Sequence, residues 1–218
     1  MPPCLFVTGT DTEVGKTVVT ASLAASLPGE VRALKPVATG VSRGSAGEDA
    51  ELLGIGAGHE PLVMRTWQPP VSPHRAAELG GDPPTLEGIL QWIETHKSTY
   101  TLVEGVGGWR VPLSWDFGIS DLARAWGAPV LVVSANRLGT LNHTLLTVQA
   151  VRDAGLPVWG VVLNDGIQDG RDVSWIYDAD FELLAGRVGL LVVSGDRDAV
   201  VNHIQTQRVL AAMNRAVE

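Results

Sequence analysis

The chain has 218 residues, 45% of them hydrophobic, which excludes a disordered polypeptide and predicts one α/β domain over residues 1–218. Asp and Glu outnumber Lys and Arg by 24 to 16, a formal charge of −8, so the overall field attracts neither nucleic acid nor an anionic membrane. The lone cysteine, Cys4, excludes an intramolecular disulfide; without a signal peptide or a run of transmembrane length, a cytoplasmic protein is expected.

In chain order, Leu5–Thr8 is a short apolar run that predicts a strand. Gly9-Thr10-Asp11-Thr12-Glu13-Val14-Gly15-Lys16-Thr17 follows, and then an apolar segment that predicts a helix over Gly15–Leu27. Strand, glycine-bracketed loop and helix together make a phosphate cradle. Backbone N–H groups turn toward an anion, the helix start adds its positive end, Lys16 reaches the outer phosphates and Thr17 suits a Mg²⁺ held between them. Five residues separate Gly9 from Gly15 where the ordinary loop has about four, so Thr10 or Asp11 bulges out or Gly9 is not the first position.

Val31–Val37 predicts the second strand and leads into Lys35-Pro36-Val37-Ala38-Thr39-Gly40, which places a cation near the ligand crevice. Ser42–Glu51 is glycine-rich and predicts a mobile segment in which Asp49 opens a short helical turn. Trp67–Glu78, with its prolines, cannot be one continuous helix; His74 within it either touches a ligand or sits in a loop. Thr85 is a plausible cap for a helix over Leu86–Lys97. Thr101–Glu104 predicts a strand ending in Glu104-Gly105-Val106-Gly107-Gly108-Trp109, where a carboxylate meets glycines that allow close approach to a ligand.

A helix over Ser120–Trp126 and a strand over Val130–Ser134 come next. Thr140 or Asn142 is expected to cap the helix Thr140–Ala154, whose amino end is a second anion site. Val158–Leu163 predicts a strand ending in Asn164-Asp165, an amide and a carboxylate able to read a base, although a plain turn explains that pair equally. Helices over Trp175–Arg187 and Val200–Val217 flank a last strand, Leu190–Ser194. The unalternated Val/Leu-rich strands between helices predict a doubly wound, mostly parallel sheet of the P-loop kind, with ligands at the carboxyl ends of its strands.

Together, TGTDTEVGKT (8–17), LKPVATG (34–40), Asp49, SPHRAA (72–77), VEGVGGWRVPL (103–113), LGTLNH (138–143) and Asn164-Asp165 resemble the dethiobiotin synthetases. The longer phosphate loop is itself a feature of that family. The resemblance implies an ATP-dependent ligase of biotin synthesis that closes a ureido ring on diaminopelargonate with CO₂ or bicarbonate and MgATP. A carbamate attacks the γ-phosphate, and the second amine then displaces phosphate from the mixed anhydride. Carried over residue by residue, it implies that Asp11, Thr12, Glu13, Val14, Gly15, Lys16, Thr17 and Val18 hold ATP, with Asn164 and Asp165 at the base. It implies that Thr17, Asp49 and Glu104 hold Mg²⁺, and that Lys16, Lys35 and Thr12 act in the chemistry. Thr12, Lys35, Thr39 and Gly107 then face the diamine end of the substrate. Gly139, Thr140 and Asn142 take its far carboxylate across a homodimer interface. The family usually has a proline shortly after the last strand, where this chain reads Gly-Leu-Leu-Val-Val-Ser-Gly-Asp (189–196), which leaves base selectivity open. The alternatives are a partition or cell-division type ATPase switch, which usually carries a second lysine early in the loop, a related amidoligase, and a non-catalytic nucleotide-binding module.

Overall fold

The computed structural model describes residues 4–164 and 191–195. The elements are β1 (Cys4–Gly9), α1 (Lys16–Ser26), β2 (Val31–Thr39), α2 (Glu48–Ala57), β3 (Val63–Trp67), α3 (Pro73–Gly80), α4 (Leu86–Thr95), β4 (Tyr100–Gly108), α5 (Ile119–Trp126), β5 (Val130–Ala135), α6 (Thr140–Asp153), β6 (Val158–Asn164) and β7 (Leu191–Gly195). The helices expected over 175–187 and 200–217, Asp165 and the stretch beyond 195 lie outside the described residues.

Among the described residues seven strands form one sheet in the order β3-β2-β4-β1-β5-β6-β7. Every ladder between neighbours is parallel. Consecutive side chains of β1 enter opposite cores, as a strand covered on both faces requires. Leu5 and Val7 pack with Val19 and Leu23 of α1, Leu53 of α2 and Leu131 and Val133 of β5. Phe6 packs on the other face with Ile93 of α4, Leu122 of α5 and Val148 and Val151 of α6. The chain leaves β1 toward β2 on one side and leaves β4 toward β5 on the other, so the connections diverge around the central pair β1·β4. That divergence opens the crevice at the strand ends where an open α/β sheet takes its ligand.

Three segments differ from the sequence expectations. The short helical turn expected at Asp49 is longer than that: Glu48–Ala57 is a ten-residue helix whose N-cap is Gly47, with Asp49 in its first turn. Its alternating glycines and aliphatics blur the apolar period, but Gly56 is needed for contact. A Cβ there would lie 2.4 Å from the Ala21 carbonyl oxygen of α1, so the two helices cross at backbone distance. Val63–Trp67 adds an edge strand beside β2 that its Met, Arg and Thr disguise. The proline-rich stretch is indeed no single helix, yet Pro73 starts α3, a position where a missing N–H costs nothing. Thr85 caps α4 as expected, accepting from the Gly88 N–H at 3.1 Å. Neither Thr140 nor Asn142 caps α6: its N-cap is Gly139, without a side-chain cap, and the Thr140 hydroxyl turns inward to Ser134.

Candidate active site

The loop between β1 and α1 keeps its first residue in the sheet. The Thr10 N–H bonds the Val133 carbonyl at 2.9 Å, so Gly9 is the last residue of the strand. A Cβ on Gly9 would lie 2.8 Å from Val14 Cγ2 and 2.9 Å from the Asp11 carbonyl oxygen, which settles how the longer loop is accommodated: it folds back over its own first glycine. Glu13 at φ 55 and Gly15 at φ 89 are both left-handed. That alternation turns successive N–H groups toward one concavity, and Gly15 adopts it without steric cost. Asp11 Oδ1 accepts from the Thr12 N–H at 2.8 Å and braces the outer rim.

Lys16 is buried and folds back over the loop, donating to the Asp11 carbonyl at 2.9 Å. Burial, and then the charge of Lys35, lowers its pKa to about 8.

Lys35 lies within β2 rather than at its end and is only 1% exposed. Its Nζ lies 2.7 Å from Asp49 Oδ2 and 2.6 Å from Glu104 Oε1, with the Gly105 carbonyl at 3.3 Å. Burial alone opposes its charge, but Glu104 and Asp49 outweigh burial and the pKa is raised. Burial likewise pushes the Asp49 carboxyl upward, and Lys35 more than reverses it, leaving the pKa lowered. Glu104 is not the end of a strand either, because β4 continues through the glycines to Gly108.

The Thr17 hydroxyl lies 2.8 Å from Asp49 Oδ1 and 2.9 Å from Glu104 Oε1. One hydroxyl proton serves one of these acceptors at a time, and among the described residues Glu104 Oε2, which is buried, has no hydrogen-bond partner. A hydroxyl, two converging carboxylates and an orphaned carboxylate oxygen fit a hard divalent ion. No group of three or more His, Cys, Asp or Glu suited to a metal occurs among the described residues; these oxygens are fewer than the ligands, roughly six or more, that such an ion commonly takes.

A cleft of about 760 Å³ joins these groups, lined by Thr12, Lys16, Thr17, Val18, Lys35, Thr39, Asp49, Gly107 and Asn164 among others. A second hollow of about 510 Å³ shares Thr39, Glu48, Asp49 and Val106 with it. Asn164 is buried, and its Nδ2 donates to the Val14 carbonyl at 3.1 Å, so it props the phosphate loop from beneath. Gly139, Thr140 and Asn142 do not line this cleft; Asn142 is exposed and Thr140 is buried. His74 stands outside it too, held by Ser72 at 2.9 Å and edge-on to Trp115, with ring centres 4.7 Å apart.

One feature was not legible in the sequence. Thr10 Oγ1 donates to Ser134 Oγ at 3.2 Å, and Ser134 shares a hydrogen bond with Thr140 at 2.9 Å. With Arg137 at 3.5 Å from Asp11, this ties the phosphate loop to the amino end of α6. A serine ending an apolar strand was the available signal, but only the β1·β5 register shows what it faces.

The profile of the family described as AAA domain matches residues 4–214. The ATP-dependent dethiobiotin synthetase BioD of Bacillus subtilis (strain 168) is 40% identical over 176 residues, covering 77% of this chain and 76% of its own. The enzyme of the same name from Rhodococcus erythropolis (strain PR4 / NBRC 100887) is 41% identical over 198 residues, covering 87% and 83%. Among solved structures, the septum site-determining protein MinD complexed with Mg-ADP from Pyrococcus horikoshii OT3 matches with a TM-score of 0.57 at 17% identity, over 99% of this chain and 95% of that one. HypB from Helicobacter pylori in complex with nickel matches at 0.58 and 12%, over 98% and 88%. At such identities these two show the fold alone.

Proposed function

The chain belongs to the ATP-dependent dethiobiotin synthetase family, and from that premise we propose which of its residues perform the ring closure and how. The family's reaction couples ATP to the closure of a ureido ring on a vicinal diamine. The observation that carries the residue assignment is the cluster of buried Lys35 and Glu104 with half-exposed Asp49 and Thr17 beside the phosphate loop.

The loop N–H groups, Lys16 and Thr17 hold the triphosphate of ATP, with Asp11, Thr12, Glu13, Val14, Gly15 and Val18 shaping its walls. Thr17, Asp49 and Glu104 would hold a Mg²⁺ ion, which neutralises phosphate charge when bound. Thr12, Thr39 and Gly107 line the same cleft and position the diamine. One amine nitrogen of the substrate attacks CO₂ and loses a proton, giving a carbamate. A carbamate oxygen then bonds the γ-phosphorus as the bond to ADP breaks. The second amine attacks the carbonyl carbon of the mixed anhydride, phosphate leaves and the ring closes.

Lys35 is fixed before any of this begins. A buried ammonium oriented by two carboxylates needs little reorganisation as negative charge gathers on the carbamate and the transferring phosphoryl oxygens. Lys16, released from the Asp11 carbonyl, follows the phosphates. Asn164 reads the base while bracing Val14; Asp165, assigned beside it, lies outside the described residues. The amino end of α6, Gly139 to Asn142, takes the far carboxylate of a substrate held by a second copy of the chain, which is why it need not line this copy's cleft. The setting is one domain in the cytoplasm, working as a homodimer.

Isotopically labelled bicarbonate tests the reaction. With ATP, Mg²⁺ and diaminopelargonate the label is expected in the cyclised product, with ADP formed in equal amount. ADP formation without label in the product would refute the assignment.

A further inference from the structure

Lys35 already occupies the place of a cation in a site suited to one. Its ammonium touches Asp49 Oδ2 at 2.7 Å and Glu104 Oε1 at 2.6 Å. The same two carboxylates are the ones within reach of the Thr17 hydroxyl. We infer that Lys35 is an internal counter-ion that assembles Asp49 and Glu104 and competes with the divalent ion for them, so that the free protein binds the ion weakly and nucleotide is required to admit it. The inference rests on the metal reading of Thr17, Asp49 and Glu104 given above.

Three observations support it. First, Lys35 is only 1% exposed, and besides the two carboxylates it meets the Gly105 carbonyl, at 3.3 Å, among the described residues. A divalent ion bound to Asp49 and Glu104 therefore has a full positive charge beside it. Second, Lys35 and Thr17 both use Glu104 Oε1, while Oε2 has no hydrogen-bond partner among the described residues. Acceptor capacity is left for an ion, but the charge that would attract it is already halved by Lys35. Third, the buried face of the site opens on the cleft that Lys16 and Thr12 also line, where anionic phosphate would supply the missing negative charge. Polyanion and ion then bind with strong mutual dependence, and Lys35 is turned toward the groups that carry negative charge during the reaction. Such an arrangement discourages occupation by stray cations when no nucleotide is present.

The test measures Mn²⁺ binding to the full chain by electron paramagnetic resonance, with and without a non-hydrolysable ATP analogue. Wild type, Lys35→Met, Lys35→Gln, Lys35→Arg and Glu104→Gln are compared, each checked for folding by circular dichroism. Without nucleotide, Lys35→Met and Lys35→Gln are expected to bind Mn²⁺ about tenfold more tightly than wild type or more, since a unit charge a few ångströms away is removed. Lys35→Arg, which keeps the charge, stays weak. The factor by which the analogue tightens Mn²⁺ binding shrinks in the two neutral variants. Equal or weaker Mn²⁺ binding by both folded neutral variants, with Glu104→Gln still abolishing it, would overturn the inference while leaving the metal reading intact. If Glu104→Gln binds as wild type does even with the analogue present, the metal reading fails and the inference falls with it.

Discussion

Two lysines sit in one cleft and are held by different partners. Lys16 donates to a backbone carbonyl that nucleotide can replace, whereas Lys35 is locked between two carboxylates. Lys16→Ala is expected to weaken ATP binding as well as turnover. Lys35→Ala is expected to lower kcat by about 10²–10³ with a smaller effect on ATP affinity, as the loss of a preorganised donor does; a normal kcat would contradict its role. The lowered pKa of Lys16 has a consequence of definite sign. In the free protein the ammonium loses its proton near pH 8, and bound phosphates favour the charged form. ATP binding should therefore be level below that pH and weaken as pH rises through it, by up to about tenfold per unit, with proton uptake on binding. Calorimetry in two buffers of different ionisation enthalpy measures both; pH-independent binding without proton uptake would count against the lowered pKa of Lys16. At this scale the sequence was informative. Lys16 and Thr17 stood out from the glycine-bracketed loop between strand and helix, Lys35 and Glu104 because charge in an apolar strand needs a partner, and the structure brings Thr17, Lys35 and Glu104 together. It could not show that Lys35 and Glu104 lie mid-strand, because the glycines after Glu104 read as a turn when they in fact continue β4.

Elements position these side chains, and α2 is the one whose importance composition concealed. It carries Asp49 to the cleft by crossing α1 at Gly56. Alanine is the better helix former by about 1 kcal/mol. The added carbon, however, would stand 2.4–2.8 Å from the Ala21 backbone, which cannot rotate aside. Overpacking of this kind costs about 1–3 kcal/mol, so the clash should win. Gly56→Ala is expected to lower Tm by a few degrees, at about 2–4 °C per kcal/mol for a chain of this size, and to weaken ATP binding through Asp49. An unchanged or higher Tm would show that the helices separate freely. The parallel sheet and most of its helices were legible from unalternated Val/Leu runs, but β3 was not. An edge strand has one covered neighbour and tolerates Arg65 and Thr66, so its pattern is diluted. The Gly139 cap of α6 was missed for a similar reason: Thr140 looks like a cap by type, and Ser134 claims its hydroxyl.

For the whole molecule, Gly139, Thr140 and Asn142 lie outside the cleft that one copy presents. In the reading proposed above, a homodimer would supply them from the second copy. Asn142→Ala should raise KM for the diamine several-fold and leave ATP affinity near wild type, and sedimentation should find a dimer at assay concentration; a fully active monomer would refute the shared site. Many proteins share this fold, the MinD of Pyrococcus horikoshii among those matched, so the sheet alone does not distinguish a ligase from a nucleotide switch. The dependence of phosphate release on the other substrates does. The most direct measurement is phosphate release from MgATP with diaminopelargonate and bicarbonate supplied together, singly and not at all. Release that requires both together is the predicted result; vigorous hydrolysis that neither substrate changes would contradict it.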